Sequence, residues 1–195
     1  MKQFFICLML CVFALIGCKI TDSVDDVSYT FSIFSNGVNV YQGDEILQTI
    51  LCDTEGLYKV NSEAPESFIT VSDWNFDGYD DFFIPEKLFT PNIPGRYYIF
   101  DPQNGVFKES EVLNEMRILT KACPDSCTII KQIVSSCIYH EDSTYCWDNG
   151  SLKLIKKAVQ YDAGPDGILI DTFSYDNNGI ESLVKREKIV LSNEN

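Results

Sequence analysis

The chain holds a single histidine, His140, among 195 residues. That scarcity leaves no room for a His-rich metal centre and little for a Ser-His-Asp site. Positive charge is also short: 15 Lys and Arg stand against 29 Asp and Glu, a formal net charge of −14. Such a chain has no positive field with which to displace phosphate counterions, so nucleic acid is excluded as a partner. Neither a G-x-S-x-G nucleophile turn nor a glycine-rich phosphate loop occurs. His140 falls in a polar stretch read as a hairpin tip, where solvation is the default. The expectation is a protein that is not an enzyme. Low-complexity segments and internal breaks in composition are absent too. With 45% hydrophobic and 13% aromatic residues the chain is ordinary globular material, not a disordered one.

The longest apolar run, Phe4 to Ile16, is too short to span a bilayer but suits the core of a secretion signal. It follows Met1-Lys2-Gln3 and ends in Leu15-Ile16-Gly17-Cys18. This segment resembles the lipobox of bacterial lipoproteins, which implies removal of residues 1–17 and lipidation of Cys18. Several acyl chains then give stable anchoring, since each buried methylene contributes about 0.8 kcal/mol. Lys19 stands where an Asp would favour the inner membrane, so the resemblance implies the outer membrane, facing the periplasm. Residues 18–26 form a lipidated tether and residues 27–191 a single domain. Loss of Lys2 with the signal leaves 14 basic against 29 acidic residues, a net charge of −15.

Of eight cysteines, Cys7 and Cys11 lie within the signal and Cys18 at the anchor, leaving Cys52, Cys123, Cys127, Cys137 and Cys146. The periplasm permits disulfides. If Thr128–Tyr139 is a strand and His140-Glu141-Asp142-Ser143 a turn, the return strand sets Cys146 opposite Cys137. Directly opposed residues lie within disulfide range. Cys123-Pro-Asp-Ser-Cys127 closes a tight loop as a second pair, and Cys52 is left as a free, buried thiol. Spacing leaves other pairings open. Zinc is the weaker reading, because no CxxC pair or second histidine is present.

Strand patterns dominate the rest. Val27–Phe34 alternates and turns through Ser35-Asn36-Gly37 into Val38–Tyr41, an Asn-Gly hairpin signal. Ser67–Ser72 is a short strand. Arg96–Phe100 turns through Asp101–Gly105 into Val106–Lys108. Tyr145–Trp147 turns through Asp148-Asn149-Gly150 into Ser151–Lys156, and Ile168–Tyr175 through Asp176–Gly179 into Ile180–Val190. Glu109–Met116 has a helical pattern, while Glu45–Leu51 is ambiguous. The expected fold is all-β: an antiparallel meander of hairpins, propeller-like, with at most one or two short helices.

The chemistry concentrates in Asp73-Trp74-Asn75-Phe76-Asp77-Gly78-Tyr79-Asp80-Asp81. Oxygen-bearing side chains fall at alternate positions around a glycine that permits a sharp turn. Calcium takes six to eight oxygen ligands, and such a loop can converge them on one point. Asp73, Asn75, Asp77 and Asp81 offer side chains, and Tyr79 its carbonyl. An EF-hand is disfavoured: Ile84 occupies the place of the bidentate Glu, and a strand, not a helix, precedes the loop. The missing Glu predicts affinity on the order of 10⁻⁴ to 10⁻³ M. Asp162–Gly167 and Asp176–Gly179 lack the alternation and read as plain turns.

The loop resembles those of FG-GAP and VCBS repeats. The wider order of features resembles periplasmic lipoproteins related to immunity proteins against type IV secretion effectors. The resemblance is carried by the lipobox, NFDGYDD (Asn75–Asp81), RYYIFDPQNGVFKESEVLNEM (Arg96–Met116) and YCWDNGSLKLIKK (Tyr145–Lys157). It implies a propeller-like β fold, a structural calcium at Asp73, Asn75, Asp77, Tyr79 and Asp81, and a lysozyme-like peptidoglycan hydrolase as the neutralised partner. The clustered later cysteines and the C-terminal hairpin depart from that pattern. A strongly acidic surface would steer a basic hydrolase towards it. Phe89–Gly95, apolar and turn-rich, is a candidate contact loop. The alternative is a calcium-stabilised envelope protein binding glycan or another envelope protein, with Trp74, Tyr97 and Tyr98 as stacking candidates, although aromatics on alternating strands are more often core.

Overall fold

The computed structural model describes residues 28–136, 138–164 and 167–189; the signal, Cys18 and the tether lie outside them. Hairpin turns set the topology, which is three successive antiparallel meanders among the described residues. The first sheet is β1 (Tyr29–Phe34), β2 (Gly37–Gln42) and β3 (Glu45–Leu51). The second is β4 (Thr70–Ser72), β5 (Asp81–Pro85), β6 (Gly95–Asp101) and β7 (Val106–Glu109). The third is β8 (Lys121–Cys123), β9 (Thr128–Val134), β10 (His140–Asp148), β11 (Ser151–Asp162), β12 (Ile168–Tyr175) and β13 (Glu181–Ile189). In each sheet the spatial order follows the chain, and none closes on itself. The only helices among the described residues are α1 (Glu55–Val60), α2 (Glu111–Asn114) and two 3-10 turns. The expected all-β class and hairpin meander are thus what the chain adopts.

The middle sheet carries the core on both faces. Successive side chains of a strand point to opposite sides. On β5, Phe82 and Ile84 therefore join Ile33, Val38, Val40 and Ile50 of the first sheet, with Tyr98 and Phe107 alongside. Phe83 faces the other way, with Trp74, Tyr97, Leu113 and Ile129. Phe82 stacks on Tyr98 at 5.1 Å between ring centres, and Trp74 meets Tyr97 edge-on at the same spacing. A strand covered on both faces shows no polar alternation.

Two local readings change. Glu45–Leu51, ambiguous in sequence, is the edge strand β3. The β9–β10 turn comes earlier than expected: His140 pairs with Val134, and Cys146 pairs with Thr128 on β9, not with residue 137. The Ser136 hydroxyl accepts the amides of Ile138 and Tyr139 and so fixes the turn before His140. His140 accordingly begins an inner strand, between Val134 and Gln160, instead of sitting at a tip. Cys137 lies outside the described residues. The second disulfide expectation is also corrected: Cys123, Cys127 and Cys146 are free thiols. Cys123 pairs across the ladder with Thr128, and a 3-10 turn over Pro124–Ser126 with Cys127 at φ 48° closes the hairpin through hydrogen bonds to the Pro124 carbonyl. Cys52 is free, as expected, but half-buried.

Candidate functional site

The acidic loop joins β4 to β5, and its last residue does the anchoring. Asp81 opens β5 and is wholly buried. Its Oδ2 accepts the Trp74 amide at 2.9 Å and its Oδ1 the Phe100 amide at 3.0 Å, tying both ends of the loop to β6. Burial pushes the Asp81 carboxyl up to about 7, the charges of Asp77 and Asp73 push the same way, and the two amides oppose them. No lysine or arginine pairs with Asp73, Asp77 or Asp81 among the described residues.

The remaining loop residues hold one another. Asp73 accepts the amides of Asp77 (3.2 Å) and Gly78 (2.9 Å). Asn75 accepts the Asp77 amide at 3.2 Å and donates to Asp77 Oδ2 at 2.8 Å, while Asp77 Oδ1 accepts the Tyr79 amide at 2.9 Å. Phe76 (φ 60°) and Gly78 (φ 90°) make the reversals this wrapping needs. Only Gly78 does so without a Cβ penalty. Phe76 recovers part of the cost by packing on the second core cluster. Tyr79 lays its ring against Phe100 at 5.4 Å. The five expected ligand residues are thus brought into one turn. Among the described residues, however, no three acidic, histidine or cysteine side chains already form a cage.

The loop fits an oxygen-loving cation by its chemistry: hard oxygen donors, a buried carboxylate without a counter-charge, and a wrapped backbone. Trp74, two positions into it, is fixed from outside. Its indole donates to the Thr120 carbonyl at 3.3 Å, and the Trp147 indole donates to the Trp74 carbonyl at 2.7 Å. Tyr97 completes this junction, donating to Ile118 O at 2.8 Å and accepting the Thr120 amide at 2.6 Å. Trp74, Tyr97 and Tyr98 are all core residues and present no face for sugar stacking. The Asp176–Gly179 turn is a plain one: Asp176 accepts the amides of Asn178 and Ile180, each at 2.8 Å.

The Phe89–Gly95 segment behaves unlike an ordinary connection. The loop is closed at its base by a Glu86 amide bond to Pro94 O (2.8 Å), and a Leu119 amide bond to Ile93 O (2.8 Å) pins its later residues. Asn92 clasps Val134 of β9 through two bonds, of 2.9 and 3.2 Å. Between these ties Phe89 stands 84% exposed at φ 58°. A bulky residue in the left-handed region is strained. The strain is held by the ties on either side.

No family model matches the sequence, and no curated protein matches it. Among solved structures, the chain is similar in fold to a Xanthomonas type IV secretion system related protein, at a TM-score of 0.55 and 15% identity. The similarity covers 81% of this chain and 85% of that one. At that identity the likeness speaks to the fold.

Proposed function

We propose that this chain is a lipid-anchored periplasmic inhibitor that binds and neutralises a cationic, cell-wall-degrading effector delivered by a secretion system. The single observation that carries this reading is the Phe89 loop: an exposed, backbone-strained aromatic on a loop closed by the Glu86–Pro94 bond and clasped to β9 through Asn92. A loop already ordered in the free protein loses little entropy on binding, and an aromatic anchor is the usual centre of an interface. The fold likeness to a type IV secretion system related protein and the lipobox-like N-terminus point the same way. Calcium, in this reading, is structural. It would sit among Asp73, Asn75, Asp77, Asp81 and the Tyr79 carbonyl and offset the buried carboxylate.

The test is inhibition of peptidoglycan clearing by a panel of lysozyme-like and unrelated cell-wall hydrolases. It is paired with competition between a deletion strain and its parent against an effector-delivering neighbour. Inhibition of a basic hydrolase that falls about a hundredfold in Phe89→Ala supports the reading, the loss expected of an interface anchor. Absence of inhibition across the panel, with a deletion strain no more sensitive than its parent, would sink it.

A further inference from the structure

Beside the base of the Phe89 loop lies a cavity of about 380 Å³, opened between β3, β5, β6 and β7. Its wall carries three carboxylates, Asp53, Glu86 and Glu109, against one guanidinium, Arg96. Arg96 bridges two of them, donating from Nε to Glu86 Oε1 at 3.0 Å and from Nη1 to Glu109 Oε1 at 2.6 Å. No hydrogen bond among the described residues reaches the Oε2 of either glutamate, so both keep open acceptors. On the other side of Arg96 the wall continues as a second cleft, which adds Glu111, Glu115 and Arg117.

Tyr98 separates this place from a mere collection of acidic residues. It is only 5% exposed, stacks on Phe82 on its core side and lines the cavity. Its hydroxyl takes no hydrogen bond among the described residues. The ring is packed in the core while the hydroxyl oxygen opens to the cavity, since no buried side-chain oxygen among the described residues lacks a partner. It is therefore free to accept or donate there. Cys52 lines the same cavity as a neutral thiol, pushed up to about 11 by burial and then by Asp53. Leu51 (74% exposed) lines this cavity too, and Ile84 adds to its apolar wall. Apolar anchors around a charged recess are the anatomy of a protein interface, not of a site for a free small cation.

We infer that this cleft receives an arginine or lysine side chain of a protein partner, held by Glu86, Glu109 and the Tyr98 hydroxyl. The cationic head fills the open carboxylate acceptors, and its methylene stem lies on the apolar wall. The inference rests on the reading of a cationic protein partner and names its point of attachment.

The test is calorimetric titration of the full-length chain, in detergent, with a hexapeptide carrying one arginine. The same peptide with citrulline, which keeps the shape but not the charge, is the comparison, and spermidine is the third probe. The arginine peptide is expected to bind about ten- to a hundredfold more tightly than the citrulline peptide, the worth of a charge-assisted hydrogen bond. Glu86→Gln with Glu109→Gln should remove that preference. Tyr98→Phe, which keeps the ring and its stacking, should weaken binding severalfold with an unchanged unfolding midpoint. Equal affinity for the two peptides, a preference that survives the double variant, or spermidine binding as tightly as the arginine peptide would each overturn the inference. If a hydrolase is inhibited equally by the parent chain and by the Glu86→Gln, Glu109→Gln variant, the cleft fails and the inhibitor reading stands. Arginine-specific binding in the cleft with no hydrolase inhibited gives the reverse.

Discussion

All five residues of β5 are buried, whereas all nine of β13 are exposed, although both are antiparallel strands in hydrogen-bonded ladders, the latter with a register shift at Thr172/Phe173. β5 is stabilised by aromatic packing on its two faces. β13 covers nothing and is held by its pairing with β12 and by side chains across that pair. Arg186 forks onto Asp171 of β12 through two 2.6 Å bonds, and from β11 behind it Tyr161 donates to the same carboxylate at 2.9 Å and Lys157 lies over the Phe173 ring of β12. Lysines and an arginine along the outer strand also guard its free edge against pairing with another chain. The charge divides in the same way. Residues 28–127 carry sixteen acidic against six basic side chains, net −10; residues 128–189 carry nine against seven, net −2. The two ends of the molecule therefore have different work: packing and an acidic face at one, an edge-protected ribbon at the other.

The largest effect that can test this contrast is a cavity in the middle sheet. Phe83→Ala should cost about 4 kcal/mol, the usual loss for a fully buried phenylalanine. Leu183→Ala on β13 should stay within about 0.5 kcal/mol, as exposed positions do. Urea unfolding of both variants decides it, and similar losses would erase the distinction. Glycines give a second, smaller version. A Cβ on Gly95 would stand 2.3 Å from the Ile84 carbonyl oxygen and 2.4 Å from the Phe83 ring. Gly95→Ala should therefore cost about 2–3 kcal/mol by overpacking. Gly179, at φ 76° in the last hairpin, has open space where its Cβ would go. Its substitution should cost only about 1 kcal/mol of backbone strain.

The contrast also explains what could be read from the chain. Strands with one wet face, β1 and β2 or β11 and β12, show alternation and Asn-Gly turns, and the sequence pattern finds them. β5 escapes, because burial on both faces removes the period of two. α1 escapes for another reason. Thr54 stands at its N-terminus without capping it; its hydroxyl instead accepts the Gly37 amide and donates to the Phe34 carbonyl, closing the β1–β2 turn. Of the candidate site, the ligand-type residues of the acidic loop were legible from spacing. The anchoring of Asp81 by the Phe100 amide was not, being a contact across 19 positions of chain. The cleft draws on Asp53, Glu86, Arg96 and Glu109, from separate segments, and no local pattern announces it.

Calcium separates the two regions next. With affinity near 10⁻³ M, 10 mM calcium should stabilise the fold by about 1.4 kcal/mol, or several degrees in melting temperature. Asp77→Ala should abolish the gain, and equal melting with calcium and with chelator would refute the site. The gain should depend on pH. Asp81 is raised from 3.8 to about 7, so in the metal-free fold its proton is held more tightly than in the unfolded chain. Its protonated form favours the fold fully below about pH 4, and that contribution is lost as pH rises through 7. Calcium needs the deprotonated carboxylate, so its stabilising effect should be larger at pH 8 than at pH 5. A gain that is flat or reversed over this interval would separate Asp81 from the metal.

The smallest effect belongs to the ribbon. Asp171 accepts both Arg186 bonds and the Tyr161 hydroxyl, and its carboxyl is held below the usual range, first by Arg186. Arg186 is more than half exposed, so the pair is screened and its removal should not shift global unfolding. Local opening is a different matter, because β13 has no packed face to hold it once the cross-strand contacts go. Asp171→Ala should speed amide exchange in β12 and β13 while leaving β5 and β6 unchanged. Calcium should protect β5 and β6 and leave the ribbon's exchange as it was. If Asp171→Ala loosens β5 as much as β13, the ribbon and the acidic, doubly packed end unfold as one unit, and the division between them is one of shape and charge, not of stability.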